Sequence, residues 1–217
     1  MSTTRRGLFI TFEGLDGSGK STQMRLLSER LRSAGRAIFE NIEPGGSAIG
    51  QQIRRVLLHE RNRELAPTAE LLLMFAARAQ NLDQCILPAL SRGDIVLSDR
   101  WTDSTMAYQG YGRGLGPEVV LDVDRIACRG LVPNLTICVD IDPAVGLARA
   151  RARAAEQNDV ETRVEQEELS FFRKVRDGYA HIASEEPRRF RLIDGDRPPD
   201  AIAADVWSTV ASLLEPL

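Results

Sequence analysis

Two glycines separated by four free positions, then a lysine and a serine, are the residues of this chain best suited to chemistry: Gly14-Leu15-Asp16-Gly17-Ser18-Gly19-Lys20-Ser21. That chemistry is the holding of nucleotide phosphates. The glycines let the backbone turn so that its N–H groups converge on a phosphate. Lys20 then reaches the terminal phosphates, and the Ser21 hydroxyl, with Thr22 beside it, is offered to Mg²⁺. A helix starting here adds the positive end of its dipole. Only two lysines occur in the 217 residues, so Lys20 does not fall in the motif because the chain is lysine-rich.

Further along, Asp99 closes the apolar run Ile95-Val96-Leu97-Ser98, and Arg100 follows it. An acid at a strand end can cap a helix or hold Mg²⁺; beside a phosphate-binding loop the metal reading is preferred. The planar fork of Arg100 suits a second phosphate. Glu43-Pro44-Gly45-Gly46-Ser47 reads as a turn whose serine caps the next helix. Phe75 and Arg78 lie three apart and share a helix face, from which a ring and a charged donor could meet a base, although a phenylalanine on an apolar helix is more often core. Residues 108–114, Tyr-Gln-Gly-Tyr-Gly-Arg-Gly, read as a binding loop. Arg149 and Arg153 share a helix face while Arg151 points away. A solvated surface is the plain reading of that pattern, but with the upstream loop it becomes a flap carrying cations toward a transferred phosphoryl group. Residues 155–163 are polar and lack periodicity, as a mobile lid would.

These residues need a scaffold, and the hydrophobic pattern supplies one. Short apolar runs at 8–12, 37–41, 94–98, 135–141 and 190–193 read as strands. Longer amphipathic stretches at 21–34, 49–58, 67–90, 117–129, 143–154, 165–185 and 198–214 read as helices. This alternation predicts an α/β fold of the P-loop type, a five-stranded parallel sheet with helices on both faces and a small mobile lid. Ligands of such sheets bind beyond the carboxyl ends of the strands, and the segments that follow them here are rich in Gly, Arg and Asp. The length suits a single domain over 1–217, with the lid at about 149–163.

A net charge of −3 without a basic stripe gives no nucleic-acid footprint. No apolar run approaches the roughly 20 residues that span a bilayer. Cys85, Cys128 and Cys138 are odd in number and embedded in apolar sequence, so they read as small hydrophobes in a reducing cytoplasm.

Taken together the motifs resemble the thymidylate kinase family. The resemblance rests on residues 12–22, on Glu43-Pro44-Gly45-Gly46, on Phe75-Ala76-Ala77-Arg78, on Asp99-Arg100-Trp101 and on Ala107-Tyr108-Gln109-Gly110, in family order. It implies phosphorylation of dTMP to dTDP with ATP and Mg²⁺, and a homodimer. By resemblance, Phe75 stacks on thymine, Arg78 binds a base carbonyl, and Thr105 with Gln109 reads the remaining edge. Tyr108 crowds the 2′ position, Asp16 approaches the 3′-hydroxyl and Arg100 binds the acceptor phosphate. Gly17 occupies the place of a loop arginine found in some members, so Arg149, Arg153 and Arg163 inherit its catalytic role beside Lys20. Two departures stand out. Ile42 replaces an arginine common before the Glu-Pro-Gly-Gly turn, so one acceptor-phosphate contact is either missing or supplied elsewhere. Met74 holds the position four before Arg78 where many members place the stacking aromatic. The alternatives are a kinase for another nucleoside monophosphate and a P-loop ATPase switch.

Overall fold

The computed structural model describes residues 7–156 and 163–214. Strand β1 (Leu8–Glu13) leads through the glycine-rich loop into α1 (Lys20–Ser33), followed by β2 (Ile38–Ile42), α2 (Ala48–Leu58) and α3 (Pro67–Asn81). Next come α4 (Leu87–Ser91), β3 (Ile95–Asp99), the single turn α5 (Thr102–Thr105) and α6 (Pro117–Cys128). The chain ends with β4 (Leu135–Asp140), α7 (Pro143–Glu156), α8 (Leu169–Glu185), β5 (Phe190–Asp194) and α9 (Pro199–Ala211). The five strands form one sheet in the order β2-β3-β1-β4-β5, and every pairing is parallel.

Side chains alternate across a strand, so each strand feeds two cores. Ile10 and Phe12 of β1, Leu97 of β3 and Val139 of β4 pack with Leu27 and Leu31 of α1 and Val206 of α9. On the other face Phe9, Val96 and Cys138 join Leu71 and Phe75 of α3 and Val175 and Tyr179 of α8. Both faces are covered, as the alternating pattern predicts. The register sets the site: Phe12 and Ile42 both pair with Asp99, so β1, β3 and β2 end level with one another. Their following segments therefore lie side by side.

Two stretches depart from the expectations. The helix predicted over 67–90 is interrupted by a π-helical segment, Leu82–Ile86, just before Pro88. Proline lacks an N–H and crowds the carbonyl four residues earlier, and a wider turn relieves both problems. The loop expected over 108–114 is largely helical, because Met106–Gly112 forms a second π segment continuing α5. Packing overrides the low helix propensity of its glycines. A Cβ on Gly112 would lie 2.7 Å from the Phe171 ring, so only glycine lets α8 approach this closely. Cys128 and Cys138 are buried thiols, whereas Cys85 is half-buried. Among the described residues no helix is long and apolar enough to cross a membrane.

Candidate active site

The glycine-rich loop and the start of α1 form the first half of the site. Gly14, Gly17 and Gly19 all have positive φ, and Gly19 precedes α1 directly. Nothing lies within 4 Å of a Cβ built on Gly19, while the Ser18 hydroxyl is buried without a partner. An open cradle with an orphaned hydroxyl and the first amides of a helix fits a phosphate. Ser21 donates to the Asp99 carboxylate at 2.7 Å, so the loop and the end of β3 bring two oxygen ligands together. These are donors of the kind Mg²⁺ takes, with substrate phosphates and water completing its shell.

Beside this cradle lies a cavity of about 270 Å³, whose wall includes Asp16, Arg54, Met74, Arg78, Arg100, Thr105, Tyr108, Gln109 and Arg153. Asp16 joins the two halves. One of its oxygens accepts from Lys20 Nζ at 3.0 Å and from an Arg100 guanidinium nitrogen at 2.9 Å. Burial pushes the Asp16 carboxyl up, but the two cations outweigh it and hold it well below the usual range.

Arg100 adopts φ +74°, a conformation that costs a non-glycine residue about 1–3 kcal/mol. Its neighbours hold it there. The Arg100 N–H donates to Phe12 O at 2.9 Å, and the Trp101 N–H donates to the Glu13 carboxylate at 2.8 Å. Ser104 donates to the other Glu13 oxygen and accepts from the Arg100 guanidinium. Glu13 is fully buried; burial first, then the nearby Asp103 charge, push its carboxyl up to about 8. The guanidinium also stacks over Tyr108, 4.9 Å from the ring centroid.

Arg78 projects from α3 and donates to Trp101 O at 3.2 Å and to Thr105 Oγ1 at 3.0 Å. Its Nε faces Glu43 at 3.7 Å. Gln109, on the second π segment, donates its amide to Glu70 at 2.6 Å. Arg54 reaches back from α2 to Pro44 O at 2.7 Å and lines the cavity with Arg100. Two guanidiniums facing one cavity from different elements make a site for an anion.

The family profile for thymidylate kinase matches residues 12–206. The chain belongs to the thymidylate kinase family. Two relatives described as thymidylate kinases come from Solidesulfovibrio magneticus and Thermomicrobium roseum. The first is 47% identical, covering 95% of this chain and all of its own length. The second is 48% identical, covering 95% of this chain and 96% of its own. The crystal structure of thymidylate kinase from Ehrlichia chaffeensis superposes with a TM-score of 0.76 at 29% identity, over 95% of this chain and 99% of that one. As a member of the family the chain is a phosphotransferase with a nucleotide as phosphoryl donor.

The structure gathers Asp16, Arg78, Arg100, Thr105, Tyr108 and Gln109 at one cavity, and Lys20, Ser21 and Asp99 beside it. Other residues singled out from sequence take different places. Phe75 is 2% exposed, sits in the core and lies under the Arg78 guanidinium, while Met74 reaches the cavity wall. One residue along a helix is a turn of about 100°, enough to exchange core for cavity. Arg163 is 4% exposed and donates to Glu70 at 2.5 Å and to Leu57 O at 3.1 Å, so it is a buried anchor outside the cavity wall. Arg149 is half exposed and pairs with Asp196 at 3.1 Å. Of the three lid arginines expected at the donor phosphates, Arg153 is the one that lines the cavity. Most of the remaining lid, 157–162, lies outside the described residues.

Gly17 explains part of this arrangement. A Cβ there would lie 2.1 Å from Gly146 O and 3.1 Å from Arg149 Cβ, because α7 packs directly on the loop. Arg54, Glu13 and Glu70 went unnoticed in the sequence. Arg54 carried a signal, since Ile42 left an acceptor contact to be found elsewhere; the buried acids carried none.

Proposed function

We propose that the chain transfers the γ-phosphoryl group of ATP to dTMP, yielding dTDP and ADP, with Mg²⁺ held near Ser21 and Asp99. One observation carries this reading: Lys20 of the donor cradle and Arg100 of the acceptor cavity bind the same Asp16 oxygen. Two phosphate sites that share a carboxylate are spaced for direct transfer between two nucleotides.

An oxygen of the acceptor phosphate is already anionic, so it attacks the γ-phosphorus without a protein base while the bond to the ADP oxygen breaks. Bound Mg²⁺ neutralises charge on the donor phosphates. Lys20 and Arg153 of the lid, about 149–163, stabilise the transferring group, and Arg149 steadies α7 over Gly17. Arg100 and Arg54 hold the acceptor phosphate against its repulsion from the donor. In the base pocket Met74 packs on thymine in the place expected for Phe75, Arg78 donates to a carbonyl, and Thr105 and Gln109 read the remaining edge. Tyr108 crowds the 2′ position and disfavours ribose, and Asp16 approaches the 3′-hydroxyl.

The working unit is a homodimer in the cytoplasm. Supporting this, α3 packs against both α2 and α6, and the three helices expose Ile49, Val56, Leu72, Val119 and, at 81%, Ile126. Residues seven apart on α2 and on α6 share a face, so these side chains form an apolar surface of the kind a second copy covers. The buried free thiols Cys128 and Cys138 suit a reducing compartment.

A coupled ADP-release assay with dTMP, dUMP, UMP, CMP and AMP tests the assignment. The expected result is a kcat/KM highest for dTMP. ADP release that ignores the acceptor, or peaks with another monophosphate, overturns it.

A further inference from the structure

Glu70 is the buried acid of α3 on which three side chains converge. Its carboxylate is 1% exposed and lies outside the cavity wall. One oxygen accepts from the Gln109 amide at 2.6 Å and from Arg113 Nε at 3.3 Å; the other accepts from Arg163 at 2.5 Å. Burial pushes the Glu70 carboxyl up, but Arg113, the Gln109 amide and Arg163 outweigh it and hold it below the usual carboxylate range. Ionised, it is an acceptor only.

A carboxylate acceptor removes the ambiguity of an amide. Gln109 must turn its nitrogen to Glu70, which leaves Oε1 as the group it presents to the cavity it lines. No hydrogen bond to that oxygen occurs among the described residues, and it is not among the fully buried unpartnered atoms. We propose that Glu70 is a specificity-determining positioning residue: by fixing the Gln109 amide with its carbonyl toward the base, it makes the site accept a pyrimidine bearing an N3–H. This rests on the reading of the cavity as a pyrimidine nucleotide site. Thymine and uracil carry a donor at N3. Cytosine carries a lone pair there, which would face the Gln109 oxygen with no proton between them. Arg78 reads the neighbouring carbonyl separately, so the two contacts reject cytosine independently.

The rival role for Glu70 is neutralisation of Arg113 and Arg163 alone. Glu70→Gln distinguishes the two. Its amide can meet Gln109 with either end, so the Gln109 group is free to turn. The ratio of kcat/KM for dTMP to that for dCMP should fall about tenfold, chiefly through KM for dTMP. In the exchange E70Q/Q109E, the amide at position 70 donates to the carboxylate at position 109, whose second oxygen again faces the base. That variant keeps the charge of the cluster and should recover most of the ratio. Glu167→Gln, which loses a partner of Arg113 and touches neither Gln109 nor the cavity wall, should leave the ratio unchanged. An unchanged ratio in folded E70Q, or an exchange that folds without recovery, overturns the proposal. Should E70Q not fold, the exchange is read against wild type, and loss of the ratio there is the overturning result. A wild-type protein that does not prefer dTMP instead overturns the assignment of function.

Discussion

The proposed donor and acceptor halves of the site sit side by side, yet they are built on opposite plans. The proposed donor half is mostly backbone from one continuous stretch, Gly14 to Thr22, joined by Asp99 from the end of β3 and, over the transferring group, by Arg153. The acceptor half is mostly side chains, drawn from α2, α3, the end of β3, the second π segment and α7. Backbone amides in a glycine loop need only correct dihedral angles. Arginines and amides converging from five places need packing, and each must have its remaining donors satisfied in a buried setting. The acceptor half accordingly rests on buried acids that do not line the cavity, Glu13 behind Arg100 and Glu70 behind Gln109.

The largest effects should come from breaking each half separately. Lys20→Ala should lower kcat by about 10²–10³-fold while calorimetric titration still shows dTMP binding. Arg100→Gln should lower kcat/KM for dTMP by about 10²-fold with KM for ATP little changed. Equal loss of both ligands in either variant would mean that the halves are not separable.

A smaller contrast concerns the lid arginines. Arg153→Gln should reduce kcat about tenfold without changing Tm, because the side chain is exposed and faces the cavity. Arg163→Gln should do the reverse, lowering Tm by a few degrees and leaving KM for ATP alone, since it removes a buried partner of Glu70. A turnover defect in the Arg163 variant at unchanged Tm would return Arg163 to the donor phosphates.

The smallest effect on turnover, though measurable in stability, is the titration of Glu13. Its carboxyl is raised in the folded chain from 4.5 to about 8, so across that window the folded state keeps a proton that the unfolded state has lost. Stability from this group is complete below about pH 4.5 and is lost as pH rises toward 8. Tm followed by scanning calorimetry should decline over that range, and Glu13→Gln, which mimics the protonated form, should flatten the decline. Asp16 and Glu70 act in the opposite direction, since their lowered values cost stability only as pH falls below the carboxylate range.

Legibility in the sequence follows the same division. The glycine loop, the apolar strands and the acid closing β3 are local signals, and each appears where the sequence predicts it. Met74 and Phe75 could not be told apart, because which of two adjacent residues enters a cavity depends on how α3 is rotated against the sheet. Residues 108–114 read as a loop because glycines oppose helix in isolation; contact with α8 reverses that preference. Arg163 and Arg153 look alike in sequence, and only burial separates an anchor from a cavity wall.

By itself the sequence determined the parallel α/β scaffold and the place of the phosphate loop on it, because dihedral preference and hydrophobic period act over a few residues. Its conjoined motifs also marked the family. The tertiary structure alone decided which arginines face the cavity, which acids stand behind them and how Gln109 is turned. Those outcomes depend on desolvation and hydrogen-bond satisfaction among residues as far apart as Glu70 and Arg163, and no local pattern encodes them.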